Sequence, residues 1–414
     1  KEGEMVAGIF TDTFYPEING VATSVALLKR ELEKLGHTVY VVTCSNPALK
    51  GGADVANTFR LPSAPFLFLP SRRMAVLYKK SVARQIKSLG LDIIHTNTEF
   101  SLGMFGKLMA AALNKPVIHT YHTLYEDYVH YITKGKFPHL SSEMAKLFSR
   151  KFCNTCDAIV TPTEKTRDLL LEYSVDRPIS VIPTGIDIEQ FSGAAAGAAG
   201  AAELAALRGE LGIGPGDKVI LYVGRLAKEK NIDGVVSHLP GYMRANPGTK
   251  FLLVGDGPWK GEIEALARAG GIGGSVIFAG ERPWRDIAKF YKLGDVFISA
   301  SLSETQGLTF IEAMAAGLPV LAKRDRSVEK LIYDGQTGCL FDEDAEIPGK
   351  LSAILGDAPF RERLVSGALG IAAQNSSAQF ARSIAAAYED TIRDWRPTWK
   401  EHILSKKVMQ KIIL

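Results

Sequence analysis

The stretch Ser299-Ala-Ser-Leu-Ser-Glu-Thr-Gln-Gly-Leu-Thr-Phe-Ile-Glu-Ala-Met-Ala-Ala-Gly-Leu-Pro-Val320 decides how the chain folds. An apolar run, Val296 to Ser299, reads as a buried strand ending near Ser301, and a polar loop carrying Glu304 follows. Gly307 allows a tight turn, Leu308 to about Ala316 reads as a helix, and Val320 to Ala322 opens the next strand. The first amides of that helix, around Leu308 and Thr309, have no carbonyl to pair with and are aimed at an anion such as a diphosphate. Glu312, one turn inside, would reach past the phosphates to a ribose hydroxyl pair, and Glu304 would face a sugar. The alternative is two exposed glutamates beside a helix start, where the macrodipole favours acids.

The same alternation surrounds this stretch. Val219 to Val223, Phe251 to Val254, Val276 to Phe278 and Gly338 to Phe341 read as further strands of one α/β unit. Ligands of open α/β sheets bind at the carboxyl ends of strands, and the polar signals fall there. Val223-Gly-Arg-Leu-Ala-Lys-Glu-Lys-Asn231 places Arg225 and Lys230 in a loop where they can neutralise a diphosphate; otherwise the run is a solvated loop. Leu253-Val-Gly-Asp-Gly-Pro258 ends a strand on Gly255 and Gly257, which permit a ligand to approach the backbone.

The first half repeats the pattern, with strands at Val6 to Phe10, Thr38 to Thr43, Ile93 to His95, Val117 to Thr120, Ala158 to Thr161 and Ile179 to Ile182. Helical stretches run from Val21 to Leu35 and from Ala75 to Leu89. Between the halves, Gly193 to Ala206 is almost entirely Gly and Ala and reads as a mobile, exposed segment, although Glu203 to Leu211 has helical character. A chain of 414 residues with 46% hydrophobic and 23% charged residues fits two globular domains. These are expected at 1–187 and 188–390, with 391–414 returning to the first.

A net charge of +4 is too small an excess to argue for nucleic acid. No apolar run has the ~18–20 residues needed to cross a bilayer, Lys1 to Phe10 lead straight into a strand, and the chain reads as cytosolic. Four cysteines do not make a disulfide framework, and Cys153-x-x-Cys156 reads as the end of a helix rather than a metal site.

The order G-R-L-x-x-E-K-N, L-V-G-D-G-P and E-T-Q-G-L-T-F-I-E-A-M-A-A-G-L-P-V resembles the retaining GT-B glycosyltransferases of family four, which share an E-x7-E motif; the likeness covers nearly the whole chain. It implies two Rossmann-like doubly wound domains facing a central cleft, and a nucleotide-diphosphate sugar as substrate with no cofactor and no metal. Position by position it implies that Arg225 and Lys230 bind the donor phosphates, Glu304 the sugar, the amides from Gly307 through Leu308 to Thr309 a phosphate, and Glu312 the ribose. It also implies that the loop Gly280-Glu-Arg-Pro283, with Arg282, lies beside the nucleobase. In Phe10-Thr-Asp-Thr-Phe-Tyr-Pro-Glu-Ile-Asn-Gly20, the resemblance favours a Gly20 that lets its loop touch donor phosphate and acceptor over one that merely starts a helix. Just past Thr120, His122 matches a histidine that lines the sugar site, whereas His119 reads as buried in its strand and His95 and His130 stay open.

The run H-T-x-Y-E-D-Y-x-H-Y, with H-T-x-T-E-F at His95 to Phe100, is most similar to Gram-positive diacylglycerol glucosyltransferases that make glycolipid anchors. That resemblance implies transfer of glucose from UDP-glucose to diacylglycerol by an enzyme lying peripherally on the inner face of the cell membrane. Lys134, Lys136, Lys146, Arg150 and Lys151, with Arg72 and Arg73, would meet anionic lipid; a solvated face explains the same charges. The tail from Trp395 to Leu414 suits a membrane or a return to the first domain. Asp342-Glu-Asp344 spells D-x-D but reads as surface charge in a late loop. Rival readings are a transferase with a soluble acceptor, a nucleotide-sugar epimerase, and a membrane adaptor that keeps the fold without the reaction.

Overall fold

The computed structural model of the chain describes residues 3–17, 19–49, 54–66, 69–75, 80–122, 138–193, 197–301, 304 and 306–396. Two compact units emerge, Lys1–Gly185 joined by the segment from Ser377, and Ile186–Ser376. The return to the first unit begins at Ser377, ahead of the expected residue 391. Helix Ser377–Asp394 buries Phe380, Ala381, Ile384, Ala385, Ala387 and Tyr388 along one stripe, against Val25, Leu28 and Leu32 of helix Gly20–Lys34. Most of the Trp395 to Leu414 tail lies outside the described residues.

In the first unit, β1 (Val6–Phe10), β2 (Thr38–Cys44), β3 (Thr58–Leu61), β6 (Ile93–Thr96), β7 (Val117–Thr120), β8 (Ala158–Thr161) and β9 (Ile179–Val181) form one parallel sheet in the order β3-β2-β1-β6-β7-β8-β9. Both faces are covered, so the strands are almost wholly apolar. Ala7 and Ile9 join one core, and Phe10 points into the other beside Phe105. An antiparallel hairpin, β4 (Ser63–Phe66) and β5 (Leu69–Ala75), stands apart from that sheet and takes in the start of the helix expected from Ala75. The chain lays β2 and β3 on one side of β1, then crosses to β6 on the other. The carboxyl ends of β1 and β6 are therefore the switch point of this sheet.

The second unit repeats the plan with β10 (Lys218–Val223), β11 (Thr249–Val254), β12 (Val276–Gly280), β13 (Val296–Ser299), β14 (Val320–Lys323) and β15 (Cys339–Phe341), all parallel, in the order β12-β11-β10-β13-β14-β15. Its switch point lies between β10 and β13. The Gly and Ala segment departs from expectation: helix Gly197–Glu210 forms there, exposed on its alanine side, because Ala is the strongest helix former and Leu204, Leu207 and Leu211 supply a stripe that packs on the core. Arg208 fastens it, donating to the carbonyls of Gly214 and Asp217 at 2.8 Å each. Cys153 and Cys156 are buried thiols at the end of helix Pro138–Cys153, with burial pushing Cys156 up to about 11.

Candidate active site

At the switch point of the second sheet, two loops deliver the residues singled out in the sequence. After β10, a short 3-10 turn, Lys228–Lys230, ends on Asn231, whose left-handed backbone (φ 50°) turns the chain into helix Ile232–Ala245. The Lys230 ammonium donates to Glu304 Oε1 at 2.7 Å and to Ser301 Oγ at 3.3 Å, so the expected phosphate ligand and the expected sugar ligand meet. Both side chains keep slightly under a fifth of their surface exposed, enough for a ligand to reach them. Arg225, on the same loop, forms an ion pair with Glu229 and is half exposed. After β13, Gly307 sits in the left-handed region (φ 71°) and admits helix Leu308–Ala315; its first amides, Leu308 and Thr309, have no carbonyl within the helix to pair with.

Glu312 is where sequence reasoning saw only half of the arrangement. Tyr291, at the end of the short helix Ile287–Tyr291, is fully buried and donates its hydroxyl to Glu312 Oε2 at 2.7 Å. Burial pushes the Glu312 carboxyl up to about 7, and the Tyr291 hydrogen bond works against that rise. On the expectation that Glu312 holds a ribose, the ionised carboxylate would accept its hydroxyls better than the acid does, so the KM for a nucleotide-sugar donor is expected to fall as pH rises through neutrality and then level off. Tyr291→Phe removes the bond that favours the carboxylate; a net hydrogen bond is worth ~1 kcal/mol, so the KM profile should shift to higher pH by about one unit. An unshifted profile would rule out this coupling.

Gly255 and Gly257 are also required by the chain itself. A Cβ on Gly255 (φ 137°) would lie 2.0 Å from the Gly224 carbonyl oxygen, and one on Gly257 would lie 2.2 Å from that of Leu226. The close approach is between the β10 and β11 loops themselves, which also exchange Leu226 N–H to Asp256 and Trp259 N–H to Leu226 bonds at 3.0 Å each. Arg282 is exposed, its guanidinium 5.1 Å from the centre of the Phe290 ring. Asp344 is more than surface charge: it accepts from Lys323 at 2.9 Å and from Asn231 at 3.1 Å, bracing the turn that follows Lys230. Asp342 is exposed and pairs with Arg324.

In the first unit, the polar groups gather at the carboxyl ends of β1, β6 and β7. His122 Nε2 lies 2.8 Å from Asn97 Oδ1, and burial, with His119 second, pushes its pKa down to about 3. His122 is thus a neutral ring at neutral pH. Held to Asn97 as a donor, it keeps Nδ1 as an acceptor. His119 is buried as expected, between Thr96 and Glu99 (3.2 Å). His95 is also core, bridging Tyr388 at 2.8 Å and Thr120 at 2.7 Å. His130 lies outside the described residues.

Gly20 opens its helix with free space where a side chain's first carbon would lie, while Asn19 caps the same helix through the Ala22 amide at 3.0 Å. Asp12, unremarked in the sequence, is a buried carboxylate at the switch point; an acid directly after a buried strand was the available signal. Of the basic residues expected to face lipid, Arg73 is spent inside the unit on Ser45 and Ser63, Arg150 and Lys151 are exposed, and Lys134 and Lys136 lie outside the described residues.

Comparison with known proteins gives the family and the fold. Residues 18–190 match the family model of Glycosyltransferase Family 4, and residues 205–369 match that of Glycosyl transferases group 1. The alpha-monoglucosyldiacylglycerol synthase of Streptococcus pneumoniae is 39% identical over 94% of this chain and 86% of its own length. The protein of the same description from Acholeplasma laidlawii is 31% identical over 94% and 96%. Among solved structures, Anabaena HepE in complex with UDP and glucose superposes with a TM-score of 0.70 at 17% identity, covering 94% of this chain and all of that one. Sucrose-phosphate synthase from Thermosynechococcus elongatus gives 0.70 at 21% identity, covering 95% and all.

Proposed function

This chain belongs to the glycosyltransferase family described by those two family models, a hexosyltransferase of GT-B fold, and from that membership we propose that it moves glucose from UDP-glucose to the hydroxyl of diacylglycerol with retention of configuration. The observation that carries the reading is the Lys230–Glu304 pair at the switch point of the second sheet, beside the open start of helix Leu308–Ala315 and the Glu312 carboxylate. Cations and unpaired amides stand where a diphosphate leaves, and two carboxylates remain for sugar and ribose hydroxyls. The relatives' names supply the glucose, the lipid acceptor and the alpha linkage. UDP-glucose is itself alpha-linked, so an alpha product is retention.

In the proposed step the acceptor oxygen bonds to C1 of the glucose on the face from which the diphosphate departs. The C1–oxygen bond breaks with its electron pair going to the diphosphate, whose oxygen takes the acceptor proton. Lys230, Arg225 and the amides of Leu308 and Thr309 hold the developing negative charge, and a metal ion is not required for that task. On the first unit His122, neutral and fixed by Asn97, offers Nδ1 to a sugar hydroxyl; on the second, Glu304 offers its carboxylate for the same kind of bond. Gly20 leaves its loop open to the ligands, and Arg282 stands on the nucleobase side. The acceptor dissolves in a bilayer, so the enzyme works peripherally on the inner membrane face; among the described residues no helix is long and apolar enough to cross it.

A panel of nucleotide sugars offered with diacylglycerol vesicles tests this by product mass. The expected product is a monoglucosyl lipid formed from UDP-glucose. Transfer to soluble acceptors alone, or conversion of the donor without any acceptor, would overturn the assignment.

A further inference from the structure

Both cations expected to hold the diphosphate already have carboxylate partners: Lys230 is paired with Glu304, and Arg225 with Glu229. Glu304 has a sugar to meet in the proposed reaction, whereas Glu229 has no task there. Nor does the local fold depend on it. The turn that carries Glu229 is closed by backbone bonds, from the Lys230 amide to the Ala227 carbonyl at 3.0 Å and from the Asn231 amide to that of Lys228 at 3.1 Å, and the Asn231 side chain ties it to Asp344. Glu229 is exposed, and among the described residues its hydrogen bonds and ion pairs go to Arg225 alone. An exposed pair four residues apart adds little to stability.

The same pair stands where the ligand is expected. The Tyr222 hydroxyl donates to the Arg225 carbonyl at 3.1 Å, and burial, then the charges of Glu304 and Glu229, push that phenol's pKa up while Arg225 lowers it. Both carboxylates and the guanidinium are therefore gathered around one buried oxygen at the carboxyl end of β10. A carboxylate offers a guanidinium two anionic oxygens in the geometry that a phosphate also offers. A diphosphate that takes Arg225 displaces Glu229 and stays close to its charge; when the diphosphate leaves, Glu229 closes on the guanidinium again. We propose that Glu229 is a phosphate stand-in on Arg225, which weakens the hold on the nucleotide diphosphate and so speeds release of the product. The proposal rests on the reading that Arg225 binds the donor phosphates.

The test is calorimetric titration of UDP into the full chain, as wild type and as Glu229→Gln, Glu229→Asp and Arg225→Ala. Removing a like charge about 4–6 Å from a bound phosphate should tighten UDP binding in Glu229→Gln by about five- to tenfold. Added salt should narrow that gap, and Glu229→Asp, which keeps the charge, should stay close to wild type. In turnover with UDP-glucose, inhibition by UDP should set in at a concentration lower by the same factor. Unchanged UDP affinity in Glu229→Gln would overturn the proposal. Weaker binding would overturn it too, because Glu229 would then be a partner that orients Arg225 for the ligand. If Arg225→Ala bound UDP as tightly as wild type, the phosphate assignment itself would fail, whatever the Glu229 variants do.

Discussion

Lys230→Ala should lower kcat by about 10²–10³-fold, the loss typical of removing one preorganised charge-stabilising donor, while the thermal midpoint moves little. The ammonium lies at the carboxyl end of β10, 2.7 Å from Glu304 and within reach of Ser301. In the proposed step the diphosphate gains charge only as the C1–oxygen bond breaks, so the ammonium should act on kcat more than on donor KM. A partly exposed ion pair adds little to the fold, which keeps stability apart from rate. Single-turnover rates with UDP-glucose, measured beside a thermal melt, separate the two. Transfer at the wild-type rate would remove Lys230 from the mechanism.

Asp12→Ala should be the most destabilising of the substitutions considered, by about 3–5 kcal/mol, because it strands several buried donors at once. The Asp12 carboxylate accepts from the Thr98 hydroxyl at 2.6 Å, the Leu102 amide at 3.0 Å and the Ser101 hydroxyl, and Ser101 in turn receives the Ala75 amide of β5. One side chain thereby joins the ends of β1 and β6, the start of helix Ser101–Leu113 and the hairpin. Burial holds its carboxyl above the usual range even with these donors present. Asp12→Asn keeps the shape, and hydroxyls can turn to accept, so its loss should be smaller. Denaturant unfolding checks both, and an Asp12→Ala midpoint equal to wild type would show that the network is not structural.

The fold was readable because strands covered on both faces are continuous apolar runs, as at Val219 to Val223. Lys230 and Glu304 could be singled out because they are polar residues in the loops that follow such runs, and the structure brings the two together. Other features were hidden for physical reasons. Tyr291 looks like any core aromatic, and only folding brings its hydroxyl to a carboxylate on another helix. Asp12 is surrounded by residues from 98 to 102, far away in sequence. A glycine gives the same signal whether a ligand or the chain's own carbonyl approaches, so Gly255 suggested a ligand alone, and the contact with Gly224 was not legible. The Gly and Ala segment has the composition of a linker, yet the spacing of Leu204, Leu207 and Leu211 makes it a helix.

The central claim is a same-face transfer from a nucleotide sugar held at the switch point of the second sheet. The most direct test is the anomeric configuration of the first glycolipid formed from UDP-glucose and diacylglycerol, read by proton NMR before any later reaction. The account predicts an alpha-glucoside. A beta-glucoside would contradict it, because it requires attack from the face opposite the departing diphosphate.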